Sequence, residues 1–191
     1  APEYKFPDPC EDIKASIDHL NDHAEDYNLE KGKIVILGRS SGGHLALLTA
    51  YMQMQSICGV VALYAPTDLY WSWYQPAPRR LLDSNTLIRQ FLGGTVGEVP
   101  LTLKSASPIN FVNRLTPPTL LLHGGRDELV SPLQSHRLAK VLKKNGVPHL
   151  YLNLPWARHG MDANLAGPSG QITTYAIEHF ISAVTRQDGE I

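Results

Sequence analysis

The sequence predicts an α/β protein whose mostly parallel sheet carries helices on both faces. Four short apolar runs alternate along the chain with segments of helical periodicity. The first two runs are almost uninterrupted by polar residues, which is typical of parallel strands buried on both faces. A serine pair flanked by glycines follows directly after the first run. These observations favour parallel strands joined by right-handed helical crossovers.

The first part of the chain predicts two helices and two strands. Asp8-Pro9 offers a cap and a proline for the first helical turn, and apolar residues then recur at three- and four-residue spacing over residues 10–28. The runs KIVIL (33–37) and GVVALY (59–64) predict strands. The segment SGGHLALLTAYMQ between them predicts the crossover helix.

Residues 68–116 interrupt this alternation with a segment rich in aromatic residues, proline and glycine. We expect a short helix near residues 84–92 and otherwise a cap-like insertion over one edge of the sheet. The alternation resumes with strand TLLLH (119–123), a helix over 132–145, strand HLYLNL (149–154), a loop over 155–168 and a final helix over 170–186. Because 191 residues suit one domain, we expect residues 1–191 to form a single α/β unit.

The composition narrows the classes of partner. Lys and Arg total 17 against 18 Asp and Glu, and neither sign is clustered, so we expect no nucleic-acid partner. No apolar run is long enough for a membrane span. Cys10 and Cys58 lack the close spacing of a zinc site, so we expect buried thiols and no metal. The expected location is the cytoplasm, with secretion left open because the chain opens on APEYKFPDP without an initiator methionine.

The serine turn carries the first sign of chemistry. Gly38-Arg39-Ser40-Ser41-Gly42 matches the G-x-S-x-G pattern, in which glycines leave space where a Cβ would strike neighbouring backbone and the serine is strained. The interpretation is that Ser40 is a nucleophile and that the Ser41 backbone N–H is an oxyanion donor. Ser41 is the weaker candidate for the nucleophile, because a G-x-S-x-G pattern centred on it would need glycine at the position of Arg39. Alternatively, the glycines only shape a tight turn with an anion site at the helix N-terminus.

A serine nucleophile needs a base and an acid that orients the base. Asp127 follows strand TLLLH and His159 follows strand HLYLNL, at the strand ends where open α/β sheets keep their sites. We therefore predict Asp127 as the orienting acid and His159 as the general base. Asp68 is the alternative acid, Asp127 could be only a turn or capping carboxylate, and His159 only a solvated histidine. The weaker alternatives to His159 lie inside predicted helices or strands: His44, His123, His136 and His179.

Aromatic side chains near these motifs have two interpretations. Tyr70, Trp71, Trp73 and Tyr74 either line an acyl or alcohol pocket or pack the insertion against the sheet. Trp156, beside His159 in the sequence, is ambiguous in the same way, and so is Arg158.

Taken together, the motifs resemble an α/β-hydrolase, and more narrowly the microbial esterases and lipases related to hormone-sensitive lipase. The resemblance covers nearly the whole chain and rests on APEYKFPDPCEDIKA, GRSSGGHLALL, FLGG with SPINFV, PPTLLLHGGRDELV and PWARHGMD. It implies hydrolysis of small carboxylic esters through an acyl-enzyme on Ser40, with Asp127 and His159 completing the triad and no cofactor. The alternatives are a serine peptidase of the prolyl oligopeptidase type and a hydrolase-fold binding protein without activity.

The chain departs from this family at two points. Arg39 stands where many of these enzymes have aspartate, so no substrate preference is carried over. The family also has strands and an HGGG oxyanion loop upstream of the position where this chain begins; HGG at 123–125 lies downstream of Ser40 and is a different feature. We therefore expect an α/β-hydrolase fold without its N-terminal strands. The free edge of strand KIVIL would then be covered by a missing N-terminal segment or by an oligomer.

Overall fold

A computed structural model describes residues 2–52, 57–78 and 81–186. Its sheet has four strands in the order of the sequence, and every neighbouring pair is parallel. The strands are β1 (Ile34–Arg39), β2 (Ile57–Leu63), β3 (Thr119–Gly124) and β4 (His149–Leu154). The predicted parallel α/β architecture is confirmed.

Helices connect the strands and flank them. They are α1 (Asp8–Asp22), α2 (Ser41–Met52), α3 (Leu69–Tyr74), α4 (Ser84–Leu92), α5 (Pro100–Ser105), α6 (Leu133–Lys144) and α7 (Pro168–Thr185), with a 3-10 turn over Pro108–Phe111. In the described part of the chain, no helix has both the length and the apolar character that a membrane crossing demands.

The two faces of the sheet form two separate cores. On β2, Val60 and Ala62 pack with residues of α1, α2 and α6, whereas Val61 and Leu63 pack with residues of α7. This alternation is the two-residue period of a strand with both faces covered. The prediction of helices on both faces is therefore confirmed.

Burial on both faces holds for the two central strands but not for the outer two. β3 is buried throughout, whereas Leu37 in β1 and Leu150 in β4 are 47% and 46% exposed. Both leucines lie in register with residues of the α7 core, and α7 packs mainly over β2 and β3. Val35 of β1 and Leu152 of β4 pack against the same core, so each outer strand is covered only in part on this face.

The first helix ends earlier than its apolar spacing predicts. It ends at Asp22, and residues 23–28 continue as turns in which Asn28 adopts a φ of +53°. Ala24 is nevertheless buried and Tyr27 is exposed, so the apolar spacing outlasts the helix without forming a helical face.

The described residues of the segment 68–116 contain α3, α4, α5 and the 3-10 turn, and no strand. They carry a small apolar cluster that includes Leu69, Ile88, Leu92 and Leu103. The helix over 84–92 was predicted, whereas α3, which holds the aromatic run, was not.

Both cysteines are free, and the expected burial holds for Cys10, while Cys58 is only half-buried.

Candidate active site

Ser40 occupies the sharp turn between β1 and α2. Its φ of +53° lies in the left-handed region, which is strained for a residue with a side chain. Its N–H donates to the Leu63 carbonyl at 2.9 Å, and its carbonyl accepts from the His44 N–H at 3.0 Å. These bonds hold the strained residue between strand and helix, as the G-x-S-x-G pattern predicts.

The glycines around this turn do not all serve the purpose expected of them. A Cβ on Gly38 would lie 2.2 Å from the Gly42 carbonyl oxygen, and a Cβ on Gly43 would lie 2.9 Å from Ala65 Cβ. A Cβ on Gly42 would meet nothing within 4 Å. The expectation of a close approach is therefore right for Gly38 and wrong for Gly42, and Gly43 is the second glycine that the packing requires.

The structure brings Ser40, His159 and Asp127 together from three loops. His159 Nε2 lies 3.1 Å from Ser40 Oγ, and His159 Nδ1 lies 2.7 Å from Asp127 Oδ2. Since a carboxylate only accepts, Nδ1 carries the proton and the Ser40 hydroxyl donates to Nε2. A serine, its base and an orienting acid are thus connected through one imidazole ring.

Asp127 has a buried side chain whose carboxylate is well supplied with donors. Oδ1 accepts from the N–H groups of Leu129 and Val130, both at 2.9 Å, while Oδ2 faces His159 and also His123 Nε2 at 3.3 Å. Burial by itself would raise the pKa of Asp127, but the hydrogen bonds from His123, His159 and Val130 outweigh it and hold the pKa well below its usual range. The carboxylate shapes its own turn as well as contacting His159.

His123 is a member of this site that sequence reasoning ranks low because it lies inside a strand. Its ring is fully buried at the end of β3. Nε2 faces two acceptors, the Val130 carbonyl at 3.0 Å and Asp127, so it carries the proton, and Nδ1 accepts from the Ser135 hydroxyl at 2.7 Å. The feature of the sequence that could have identified His123 is its position: it is a histidine near the end of an otherwise apolar strand, four residues before Asp127.

A second group that sequence reasoning misses supports His159 from the other side. The ring of Tyr64, directly after β2, packs against the imidazole with 4.5 Å between centroids. Tyr64 donates its hydroxyl hydrogen to Asp162 Oδ1 at 2.6 Å, and Arg39 donates to Asp162 Oδ2 at 3.2 Å. Burial raises the pKa of Tyr64, and the bond to Asp162 raises it further. Asp162 lies on the loop of His159, so this loop is bound to the ends of β1 and β2.

Asp68, the alternative acid, lies in a different environment. Its Oδ1 accepts from the Trp71 N–H at 2.9 Å as the cap of α3, and its Oδ2 accepts from Arg137 at 2.8 Å. His159 is bonded to Asp127 instead. Of the alternative histidines, His44 lies buried on α2 with Nδ1 2.9 Å from the Pro66 carbonyl, and His136 and His179 lie on α6 and α7.

The predicted oxyanion donor begins a helix. Ser41 is the first residue of α2, and backbone N–H groups in a first helical turn have no partner within the helix. The Ser41 N–H therefore has no acceptor within α2, as its predicted role as an oxyanion donor requires.

The aromatic candidates separate into two groups. Trp71 lines a cavity beside Ser40, whereas Trp73 packs against the apolar cluster of the insertion. Tyr70 and Tyr74 are exposed and contact each other, and half-exposed Trp156 donates to Ser169 Oγ at 3.0 Å. Arg158 is exposed. The packing interpretation therefore applies to Trp73, whereas the substrate-pocket interpretation of Trp71 stays a prediction.

The cavity has a volume of about 730 Å³ and lies between Ser40, the insertion and the loop from β3 to α6. Its apolar lining includes Leu69, Trp71, Leu82, Leu87, Ile88, Phe91, Leu129 and Leu133. Across residues 2–52, 57–78 and 81–186, no group of three or more His, Cys, Asp or Glu side chains is arranged to hold a metal ion.

Comparison with known proteins gives a consistent set of relatives. The BD-FAE family model matches residues 1–142. Esterase LipC of Mycobacterium tuberculosis is 30% identical over 97% of this chain, and the uncharacterized peptidase YtmA of Bacillus subtilis is 29% identical over 61% of it. The match covers 49% of LipC and 44% of YtmA, so the chain spans about half the length of these relatives.

A solved structure extends the comparison to three dimensions. The acetyl ester-xyloside bifunctional hydrolase of Caldicellulosiruptor lactoaceticus superposes with a TM-score of 0.80 and is 26% identical. The superposition covers 97% of this chain and 69% of that one. The predicted fold class and the resemblance to α/β-hydrolase esterases are confirmed.

Proposed function

The chain belongs to the BD-FAE family of α/β-hydrolases, and we propose that it hydrolyses carboxylic esters through an acyl-enzyme on Ser40. The observation that carries this proposal is the pair of hydrogen bonds that His159 makes, to Ser40 Oγ at 3.1 Å and to Asp127 Oδ2 at 2.7 Å. LipC is named an esterase, and the name of the bifunctional hydrolase includes the words acetyl ester. Both names support an ester, rather than another acyl compound, as the substrate of this chain.

The first half of the reaction forms the acyl-enzyme. Ser40 Oγ attacks the ester carbonyl carbon while its proton passes to His159 Nε2, which lies within hydrogen-bond distance. The carbonyl oxygen becomes an oxyanion that accepts from the Ser41 N–H. When the tetrahedral intermediate collapses, the C–O bond to the alcohol breaks and Nε2 returns the proton to the departing oxygen.

The second half regenerates the serine. A water gives a proton to His159 Nε2 as it attacks the acyl carbon, and collapse releases the carboxylic acid while Ser40 recovers its proton. In both halves the imidazole is transiently a cation. Asp127 is ionised at that moment because its hydrogen bonds keep the pKa of its carboxyl low, so the cation and the carboxylate attract each other.

A peptidase of the prolyl oligopeptidase type is the second candidate, and the name of YtmA is the observation that favours it. The same three residues would then attack an amide, and the two candidates differ in the leaving group. Parallel assays with p-nitrophenyl acetate and with a peptide p-nitroanilide separate them. We expect ester turnover to exceed amide turnover. A binding protein without activity is disfavoured, because such a role does not need a serine, a base and an acid in mutual contact.

A fluorophosphonate probe tests the proposal directly, since it modifies only an activated serine. We expect one adduct by intact mass on the wild type and on Ser41→Ala, which keeps its backbone N–H, and no adduct on Ser40→Ala. Ser41→Ala is the matched control because it removes the adjacent hydroxyl. An adduct that persists in Ser40→Ala, or an unmodified wild type without ester turnover, would overturn the proposal.

A further inference from the structure

The cavity of about 730 Å³ lies on one side of Ser40. Its position relative to His159 indicates whether the cavity receives the acyl part or the alcohol part of an ester. Ser40 and Ser41 line it, together with the insertion and the loop from β3 to α6, but among the described residues that line it His159 does not occur. His159 Nε2 must reach the departing alcohol oxygen to protonate it, so the alcohol leaves beside His159. The acyl group then points away from His159, into the cavity.

The dimensions of the cavity favour a large acyl group. Its volume is within the range of pockets that enclose a drug-sized molecule, far more than the methyl of an acetyl group needs. Leu87, Ile88 and Phe91 of α4 line it, and so do Leu129 and Leu133 on either side of the start of α6. A short acyl group would leave most of this apolar surface in contact with water.

The described residues that line the cavity disfavour a charged acyl group. The ionisable residues that line it are His44, Asp127 and Glu128, with no lysine or arginine among the described ones. Burial lowers the pKa of His44 to about 4, so it is neutral near pH 7. An acyl carboxylate would lose its hydration against this apolar lining, and among the described lining residues it would meet acidic side chains but no cation.

We propose that this chain selects esters whose acyl part is large, apolar and uncharged, and that the cavity is the acyl site. The inference rests on the proposed function and goes beyond it by assigning the substrate class. Burying one methylene contributes about fourfold, which corresponds to about 0.8 kcal/mol. Four additional methylenes, from acetyl to hexanoyl, therefore favour the longer ester by on the order of 10² in kcat/KM when all four are buried.

The test measures kcat/KM for p-nitrophenyl acetate, butanoate and hexanoate, and for the glutarate monoester, which is comparable in length but ionised. We expect the rate to rise with acyl length and the glutarate ester to be at least about tenfold slower than the hexanoate. A second series keeps the hexanoyl group and varies the alcohol from ethyl to octyl. Selectivity that follows the alcohol, or a preference for acetate or glutarate, would overturn the inference.

Two tryptophan variants connect the preference to the cavity. Leu87 lines it and is 49% exposed, so Leu87→Trp narrows it without disturbing a buried position. We expect the hexanoate to acetate ratio to fall by about tenfold in Leu87→Trp. Leu101→Trp is the matched control, because Leu101 is 79% exposed on α5 and does not line the cavity. Equal ratios in the two variants would contradict the assignment.

Failure of the inference and failure of the proposed function give different results. If no ester is cleaved and the fluorophosphonate leaves Ser40 unmodified, the hydrolase proposal itself is wrong. If Ser40 is modified and acetate is the best substrate, the hydrolase proposal stands and the acyl-site assignment is wrong.

Discussion

Replacing Gly38 by alanine should prevent the Ser40 turn from forming. The new Cβ would lie 2.2 Å from the Gly42 oxygen, 2.4 Å from the Gly42 carbonyl carbon and 2.6 Å from the Gly43 nitrogen. Non-bonded atoms normally approach to about 3.5–4.0 Å, so the new Cβ would lie about an ångström or more too close to three backbone atoms at the start of α2. Overpacking with movable side chains costs about 1–3 kcal/mol, and the atoms here are backbone. We therefore expect a loss of about 3 kcal/mol or more.

Thermal unfolding of Gly38→Ala, Gly42→Ala and the wild type measures this effect. A loss of about 3 kcal/mol lowers the Tm of a chain of this size by about 6–12 °C, and fluorophosphonate labelling of Ser40 should disappear with it. Gly42→Ala is the control, because its Cβ would meet nothing within 4 Å and alanine favours a helix. A Gly38→Ala protein that melts and is labelled like the wild type would refute the packing argument.

Three further changes probe the residues around His159 and Ser40. Tyr64→Phe removes the bond to Asp162, about 1.5–3 kcal/mol for a charged acceptor, and should lower kcat more than KM in steady-state assays. Asp127→Asn should lower kcat by about 10⁴. Because the folded pKa of Asp127 is depressed, the stability that its carboxylate contributes is lost as the pH falls below about 4. The variant lacks this carboxylate, so urea titrations should show that it loses less stability than the wild type on acidification. His44 has a folded pKa lowered to about 4, so the unfolded chain binds its proton first, and the wild type should lose about 2 kcal/mol between pH 7 and pH 5. His44→Asn, which keeps a side-chain donor, should abolish most of that loss; an unchanged pH slope in the variant would show that His44 is not its source.

Much of the site is predictable because it depends on short-range patterns and chain order. The G-x-S-x-G turn is a local motif, and the acid and the histidine each follow a strand that periodicity identifies. Parallel strands bring their ends to one edge, so the sequence places Ser40, Asp127 and His159 near one another without any knowledge of contacts.

The supporting contacts are not predictable in this way. Arg39 and Asp162 are 123 residues apart, and no local pattern indicates that they meet. His123 resembles any strand residue until Asp127 is seen to turn back towards it. Leu37 and Leu150 are exposed although α7 packs over the neighbouring strands β2 and β3, and the apolar runs of β1 and β4 do not indicate which strands a distant helix will cover.

Three consecutive residues at the junction of β1 and α2 have three separate roles in the proposed reaction. Arg39 holds the loop of His159 through Asp162, while the proposed mechanism assigns the attacking hydroxyl to Ser40 and an oxyanion-binding N–H to Ser41. The register between β1 and β2, in which Arg39 pairs with Leu63, fixes the positions of all three residues. A slip of one residue in that alignment would turn the arginine to the opposite face and move hydroxyl and amide together, so the accuracy of one strand pairing determines whether the whole centre is assembled.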